Sequence, residues 1–282
     1  MPRRRRPPAR RGAGLTRPHP SVGGGSGSEV LVGRNAVREA LRAGRRRIHR
    51  VLLAEGAQDR GAVEDILALC AEAAVPVERT PRAELDRLGA ELTHQGVAAH
   101  VSPYPYADLD ALLDRAEERA EAPLLLALDS LQDPQNVGSL LRTAEAVGVH
   151  GVIVPERRAA GITPAVSRAS AGAVEHLLVA QVTNLVRALE ELKERSVWVV
   201  GVEDEPAAQD YRRVDLDMPL ALVVGGEGPG MRRLVVETCD LLVRLPMRGR
   251  ISSLNVSVAG SIVLYQAWSA RRGAEEDGSA FD

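Results

Sequence analysis

The sequence predicts an α/β protein of two domains, of which the second is built on an open parallel sheet. Six apolar runs recur from residue 124 onward: LLLALDS, GVIVP, HLLVAQV, VWVVGVE, LALVVGG and LLVRLP. Continuous runs of this kind are typical of strands buried on both faces of a parallel sheet. Helical and loop segments separate the runs, and shorter strands alternate with amphipathic helices between residues 29 and 103. A length of 282 residues is sufficient for both domains.

The first domain, which we assign to residues 29–103, begins with a strand at VLVG. Asn35 is a candidate N-cap for the helix AVREALRAG, and Gly44 is expected to end that helix. RVLLA predicts the next strand, and the apolar spacing of AVEDILALCAEAA predicts the next helix. The strand VPVERT, a short helix from Glu84 to Leu88 and the strand VAAHVSP complete this small α/β domain.

Three further segments flank the two domains. Residues 1–28 hold seven arginines and no acidic residue, among Pro, Gly and Ser, which predicts a disordered basic arm. Residues 104–122 predict a linker that leads into a helix, residues 123–272 the parallel-sheet domain, and residues 273–282 a disordered acidic tail. The net charge is −2, so the chain without its arm carries −9. A basic arm on an acidic body favours a polyanionic partner, but a tail without a specific role explains the arm equally well.

Several classes of protein are disfavoured. No apolar run approaches the roughly 20 residues that span a bilayer, and no apolar segment follows the basic start as in a secretory signal. A transit peptide is disfavoured because the arm has no amphipathic apolar face, so we expect a cytoplasmic protein without membrane contact. Cys70 and Cys239 are far apart and have no CxxC partner, which predicts two reduced thiols and no metal site.

Three polar segments follow predicted strands, and ligands of open parallel sheets bind beyond the carboxyl ends of the strands. In the first, residues 128–148, a strand is expected to end at Asp129 and Asn136 to cap the next helix. Arg142 lies six residues after Asn136 and therefore on another side of that helix. A helix cap and a surface arginine are the simpler interpretation of this segment taken alone.

The second segment, residues 220–234, is a strand that enters a glycine-rich turn with Glu227 inside it. Glycines after a strand allow a ligand to approach backbone N–H and C=O groups. Neither GxGxxG nor GxxxxGK[ST] is present, which disfavours a dinucleotide fingerprint and excludes a P-loop. Glu227 would repel a phosphate and suits a cationic or hydroxyl-bearing ligand.

In the third segment, residues 245–268, a strand is expected to end at Pro246, and Ser252 or Ser253 to cap a helix. Small and hydroxyl-bearing residues crowd the first turns of that helix, in NVSVAGS. They indicate close packing against another helix, against a ligand, or against both.

Together the three segments resemble the three motifs of the SpoU family, within the SPOUT superfamily of RNA methyltransferases. They match as NxxxxxR, GxEGxGM and PMxGxxxSLNVSVA, in this order, and the resemblance spans about residues 30–270. The first domain resembles the L30e-like substrate-binding domain of RlmB-type ribosomal-RNA methyltransferases. The sequence HQG, from His94 to Gly96, is similar to a segment at the end of that domain.

The resemblance implies a SPOUT domain with a deep trefoil knot, S-adenosyl-L-methionine bound bent in the knot, and a homodimer whose active site is completed across the interface. It implies catalytic roles for five polar residues: Arg142, which acts at the ribose 2′-hydroxyl, Asn136, Glu227, Ser253 and Asn255. It also implies cofactor contacts from Gly225, Leu245, Met247 and Leu254.

The function that the resemblance implies is 2′-O-methylation of a guanosine in large-subunit (23S) rRNA. Within the family, the alternatives are a tRNA target and an rRNA site linked to antibiotic resistance; outside it, an RNA-binding assembly factor without activity and, more distantly, a nicotinamide-binding enzyme. RNA contacts are expected from Arg34, Arg45, Arg46, Arg47, His94, Gln95, Arg157, Arg158 and Arg168. With one Phe, two Trp and four Tyr, stacking of bases on aromatic rings is not a widespread mode of binding.

Overall fold

A computed structural model describes residues 27–89, 93–228, 230–250 and 253–272. The predicted basic arm up to residue 26 and the predicted tail from residue 273 lie outside the described residues. The chain forms one four-stranded and one seven-stranded sheet, with helices packed on both, which confirms the predicted α/β class.

The four-stranded sheet has the strand order β1-β4-β2-β3. Its elements are β1 Glu29–Val32, α1 Arg34–Ala43, β2 Ile48–Ala54, α2 Ala62–Glu72, β3 Val77–Thr80, α3 Arg82–Gly89 and β4 Val97–Val101. β4 pairs antiparallel with β1 and β2, and β2 pairs parallel with β3. Helix α1 ends at Gly44 as predicted, but it begins one residue before Asn35, because Gly33 takes the capping position.

The second sheet is parallel in every pairing and has the order β7-β6-β5-β10-β8-β11-β9. Its elements are α4 Leu109–Glu118, β5 Leu124–Asp129, α5 Pro134–Ala146, β6 Gly151–Pro155, α6 Pro164–Ala169, a 3₁₀ turn Ala173–His176, β7 Val179–Val182, α7 Leu185–Glu194, β8 Trp198–Val202, β9 Gln209–Asp210, a 3₁₀ turn Tyr211–Arg213, β10 Leu220–Gly225, α8 Arg233–Thr238, β11 Leu241–Arg244 and α9 Val256–Arg272. β11 ends before Pro246, which has no N–H for a ladder hydrogen bond. The order places the carboxyl ends of β5, β10, β8 and β11 side by side, so the polar segments after them meet.

Helices cover both faces of this sheet, and all residues of β5 and β10 are buried. On one face α5 packs against α9: a Cβ added to Gly260 would lie 2.6 Å from Leu140 Cδ2, and Thr143 Oγ1 lies 2.8 Å from Ser261 Oγ. The small residues Gly260 and Ser261 of NVSVAGS therefore allow α9 to pack closely against α5. α7 and α8 lie on the other face, with Leu189 in its core.

A buried polar contact joins the two sheets. Arg46 has no exposed side-chain surface; its Nε donates to Glu175 at 2.9 Å and its Nη1 to Glu29 at 2.7 Å. Glu175, also buried, accepts a further hydrogen bond from the Ser167 hydroxyl. The expectation that Arg46 contacts RNA is therefore wrong, because both of its neighbouring carboxylates belong to the protein and the guanidinium is inaccessible.

The same interface holds two more polar side chains and one very close backbone approach. The Tyr104 hydroxyl donates to the Leu177 carbonyl at 2.6 Å, and the half-buried Arg45 donates to Tyr104 at 3.0 Å. Gly172 adopts φ +86, and a Cβ there would lie 2.7 Å from the Glu39 Cβ in α1. The two domains are thus pressed together without room for one additional methyl group at this point.

Candidate active site

A cavity of about 500 Å³ opens at the carboxyl ends of β8, β10 and β11. All four residues predicted for the cofactor line it: Gly225, Leu245, Met247 and Leu254. Three of the residues predicted to be catalytic line it as well: Glu227, Ser253 and Asn255. The second and third polar segments of the sequence therefore line one cavity, whereas no residue of the first segment lines it.

A hydrogen-bonded network joins the three segments at this cavity. Asn136 Nδ2 donates to Glu227 Oε1, and Asn255 Nδ2 donates to Asn136 Oδ1 at 2.9 Å. Asn255 Oδ1 in turn accepts from the Ser257 amide at 2.9 Å and from its hydroxyl at 2.6 Å. We call Glu227, Asn136 and Asn255 the polar network.

The helix caps differ from those predicted. Asp133 caps α5 by accepting from the Gln135 amide, and Pro134 occupies the first helical position that proline favours. Asn136 therefore lies inside the first turn of α5, where its side chain is available to the polar network. At α9 the acceptor is Asn255 rather than Ser253, while Ser252 lies outside the described residues.

Glu227 is exposed in its turn and contacts Asn136. Its ionised carboxylate makes the Asn136 contact charge-assisted, which strengthens the hydrogen bond.

Replacing Glu227 by Gln keeps an acceptor oxygen but removes the charge. We expect kcat/KM for RNA to fall about tenfold, the low end for a hydrogen bond to a charged group, because this one is exposed. Steady-state kinetics measures the change, with Glu190→Gln on the exposed surface of α7 as control. Full activity of Glu227→Gln would refute a charge-dependent role.

Arg142 is not brought into the cavity. Its side chain is exposed on α5 and forms no hydrogen bond or ion pair with any residue that the structure describes. Six positions separate it from Asn136, so the two side chains project about 120° apart around the helix. The cationic guanidinium is therefore free to meet a partner from outside this chain's own cavity.

Two carboxylates that the sequence analysis missed hold the glycine turn. Asp129, fully buried at the end of β5, accepts from the Arg232 amide and Nε, each at 2.7 Å. Glu203, which follows β8 and lines the cavity, accepts from the Met231 amide at 2.8 Å. Hydrogen bonds to these two carboxylates thus hold the end of the glycine turn, at Met231 and Arg232, in place.

Gly225 leaves no space for a side chain. A Cβ there would overlap the Met231 amide nitrogen and lie 2.5 Å from the Gly230 carbonyl carbon. Close packing of the turn against the end of β10 shapes this wall of the cavity.

Gly225→Ala should weaken binding of the ligand of this cavity by about 10- to 100-fold, since overpacking typically costs about 1–3 kcal/mol. Titration calorimetry with S-adenosylmethionine measures the affinity. Gly27→Ala is the control, because nothing lies within 4 Å of a Cβ at Gly27. Unchanged affinity of Gly225→Ala would mean that the turn shifts to accommodate the added methyl group and that this shift does not alter the binding site.

The residues predicted for RNA binding fall into two groups. Arg34, Arg47, Gln95, Arg157 and Arg158 are exposed and Arg168 is half-buried, so their side chains can reach a ligand. His94 is buried, with Nε2 2.8 Å from Asp86 and Nδ1 accepting from the Gly96 amide. His94 therefore shapes its own turn and, like Arg46, is buried within the protein. Arg45 is half-buried and donates to Tyr104, and its contact with RNA stays a prediction.

Both cysteines are free thiols; Cys70 is buried and Cys239 is partly exposed. Burial raises the pKa of Cys70 to about 11 and that of Cys239 to about 12, so both stay protonated at neutral pH. The described residues include no group of three or more His, Cys, Asp or Glu side chains placed to hold a metal ion. Over the same residues, no helix is both long and apolar enough to cross a bilayer.

Comparison with known proteins identifies the family. A profile described as the SpoU rRNA Methylase family matches residues 123–265, and one described as RNA 2′-O ribose methyltransferase substrate binding matches residues 30–107. The chain belongs to the SpoU rRNA methylase family. A Bacillus subtilis relative, named "Putative TrmH family tRNA/rRNA methyltransferase YacO", is 47% identical over 243 residues, which cover 86% of this chain and 96% of the relative.

Two further similarities extend this result. A Staphylococcus aureus relative of the same description is 44% identical over 247 residues, covering 88% of this chain and 98% of the relative. The crystal structure of the SpoU methyltransferase AviRb from Streptomyces viridochromogenes, in complex with the cofactor AdoMet, superposes with a TM-score of 0.72. That similarity has 25% identity and covers 88% of this chain and 92% of AviRb. The chain is thus an RNA methyltransferase that uses S-adenosylmethionine, as the motifs predicted.

The cavity fits this cofactor. S-adenosylmethionine carries a cationic sulfonium and an ammonium group, and three carboxylates, Glu203, Asp204 and Glu227, line the cavity. Gly225 and its turn offer backbone N–H and C=O groups for the adenine and ribose, and Leu245 and Val256 provide apolar wall. These residues would hold the cofactor beside the polar network.

Proposed function

We propose that this RNA ribose methyltransferase of the SpoU family acts on the 2′-hydroxyl of a guanosine in large-subunit (23S) rRNA. The observation that carries the proposal is the polar network, which places Glu227, Asn136 and Asn255 at the rim of the cofactor cavity. The matched substrate-binding domain supports a structured RNA as the substrate. The resemblance to RlmB-type enzymes favours a large-subunit rRNA guanosine.

The polar network would position the ribose. Each carboxamide nitrogen has two N–H groups, and Asn136 and Asn255 each use one of them within the network. The second N–H of each is available to an oxygen of the substrate. When bound, S-adenosylmethionine supplies an electrophilic methyl group, so the work of the chain is to align the ribose oxygen and stabilise its developing charge.

Arg142 would bind the phosphate next to the target ribose and stabilise the developing alkoxide. An arginine stays protonated throughout the biological pH range, so it cannot serve as a plain general base. A phosphate oxygen or solvent would accept the proton. Ser253, exposed at the cavity, is assigned a contact with the substrate.

A homodimer would bring Arg142 to a cavity of the partner subunit. Two observations support it: Arg142 lies outside its own cavity, and α9 exposes Val258 by 46% and Tyr265 by 48%, seven positions apart on one side of the helix. Apolar residues exposed together on one side of a helix are a feature of symmetric subunit interfaces. The trefoil knot, the cofactor bent within it and the cytoplasmic location are further parts of this proposal.

The test is transfer of a labelled methyl group from S-adenosylmethionine to naked large-subunit rRNA, small-subunit rRNA and bulk tRNA, followed by mapping of 2′-O-methyl sites. Label at one guanosine of large-subunit rRNA supports the proposal. Label in tRNA keeps the chemistry and overturns the substrate, and the names of the relatives include both RNA classes. Absence of label in all three, with the cofactor still bound, contradicts methylation of naked RNA.

A further inference from the structure

A second cleft lies between the two domains, beside the N-terminus of α5. It has a volume of about 230 Å³. Asn35 at the start of α1 and Gln95 before β4 line it from the first domain, and Gln135, Arg168 and Ala171 line it from the second. No acidic residue lines it, although the chain as a whole is net negative.

Four polar side chains in this cleft have unused hydrogen-bonding capacity. The carboxamides of Asn35, Gln95 and Gln135 and the guanidinium of Arg168 form no hydrogen bond or ion pair within the described ranges. The nearby Arg46 at the domain interface, by contrast, forms ion pairs with Glu29 and Glu175 of the protein itself. The cleft therefore gathers donors and acceptors that the fold itself does not use.

The walls of the cleft are held in fixed positions. Arg34 Nε donates to the Gln95 carbonyl at 3.0 Å, which orders the turn that carries Gln95. The Arg46–Glu175 ion pair and the approach of Gly172 to α1 hold the first domain against α6. A cleft whose sides are already ordered binds its ligand with little additional loss of conformational entropy.

We propose that this cleft binds the base and phosphate of a nucleotide that neighbours the target ribose, and so selects the sequence around the methylation site. The proposal rests on the proposed function. Gln135 directly precedes Asn136 of the polar network, and consecutive Cα atoms lie about 3.8 Å apart, so the cleft adjoins the network along the first turn of α5.

The chemistry of the cleft favours a base read by hydrogen bonds. Carboxamides both donate and accept, as recognition of base edges requires, and a guanidinium suits a phosphate. No aromatic residue lines the cleft, so stacking does not contribute. Its volume is below the roughly 300–1,000 Å³ of pockets for larger ligands, which suits one nucleotide better than a second cofactor.

The first test is kinetic. Arg168→Ala and Gln95→Ala should each raise KM for the RNA that accepts label about tenfold, without a change in S-adenosylmethionine affinity. Arg119→Ala is the matched control. Arg119 is an exposed arginine that precedes β5 and so lies toward the amino-terminal ends of the strands, whereas Gln135 of the cleft follows β5. Values of KM within twofold of the unaltered chain for both cleft variants would overturn the proposal.

The second test locates the nucleotide. With p-benzoylphenylalanine in place of Asn35, irradiation with naked large-subunit rRNA, and with bulk tRNA in parallel, should give crosslinks within a few nucleotides of the methylated ribose. The same group at position 119 should not. Crosslinks only to protein, or scattered along the RNA, would overturn the proposal. Failure of the proposed function is distinct: the unaltered chain would then transfer no methyl group to any RNA, whatever the crosslinks show.

Discussion

Arg142→Ala is expected to lower the rate of methyl transfer to RNA by about 1,000-fold, the upper range for loss of one group that stabilises a developing oxyanion. Affinity for S-adenosylmethionine should stay within twofold, because the proposed partner of Arg142 is a phosphate of the RNA and not the cofactor. Single-turnover kinetics at saturating RNA and cofactor measures the rate. Arg142→Lys retains the charge without the planar fork, so near-normal turnover of that variant would contradict the role given to the guanidinium.

Mixed dimers separate a shared active site from one within a single chain. If Arg142 serves the cavity of the partner subunit, a mixture of inactive Arg142→Ala and inactive Asn255→Ala chains regains activity, since one of its two sites has both residues intact. Mixtures that stay inactive after subunit exchange would place Arg142 and Asn255 in the same chain's site. Arg119→Ala again controls for loss of an exposed arginine.

Arg46→Ala is expected to reduce the free energy of unfolding by about 3–5 kcal/mol, because it leaves Glu175, 1% exposed, without its counter-charge. Urea denaturation followed by circular dichroism measures the loss. Arg50→Ala is the control: Arg50 pairs with Glu78, but their side chains are 44% and 50% exposed, so the loss should stay below about 1 kcal/mol. Equal losses for the two variants would mean that the interface ion pair contributes no more than a surface pair.

The strands of the second sheet could be predicted because their composition leaves little choice. β5 and β10 are buried on both faces, so each is a continuous apolar run that no amphipathic helix would show. The N-cap residues of the helices were harder to predict, because Asp, Asn and Ser are all favoured at that position. Asp133 is preferred over Asn136 because Pro134 fixes the first helical position, and that preference shows only when the whole turn is considered.

The residues of the site were predicted from their motifs, whereas their connections were not. Asp129 ends one apolar strand, and Glu203 is the first of three consecutive acidic residues after another, and a sequence does not distinguish such residues from surface charges. Arg46 lies within a run of three arginines that was expected to face RNA. Instead it forms a buried ion pair with Glu175, which is 129 positions away in the sequence. Only the docking of the two domains determines which member of the run is buried.

The polar network also determines when the site forms during folding. Asn136 bonds to a residue 91 positions away and to another 119 positions away, and the latter begins α9, the last described helix. Contacts this distant in sequence form late, because closing long loops is entropically costly and slow. A nascent or truncated chain that ends before Asn255 therefore lacks the polar network. If the network positions the ribose as proposed, such a chain cannot engage substrate RNA at this site.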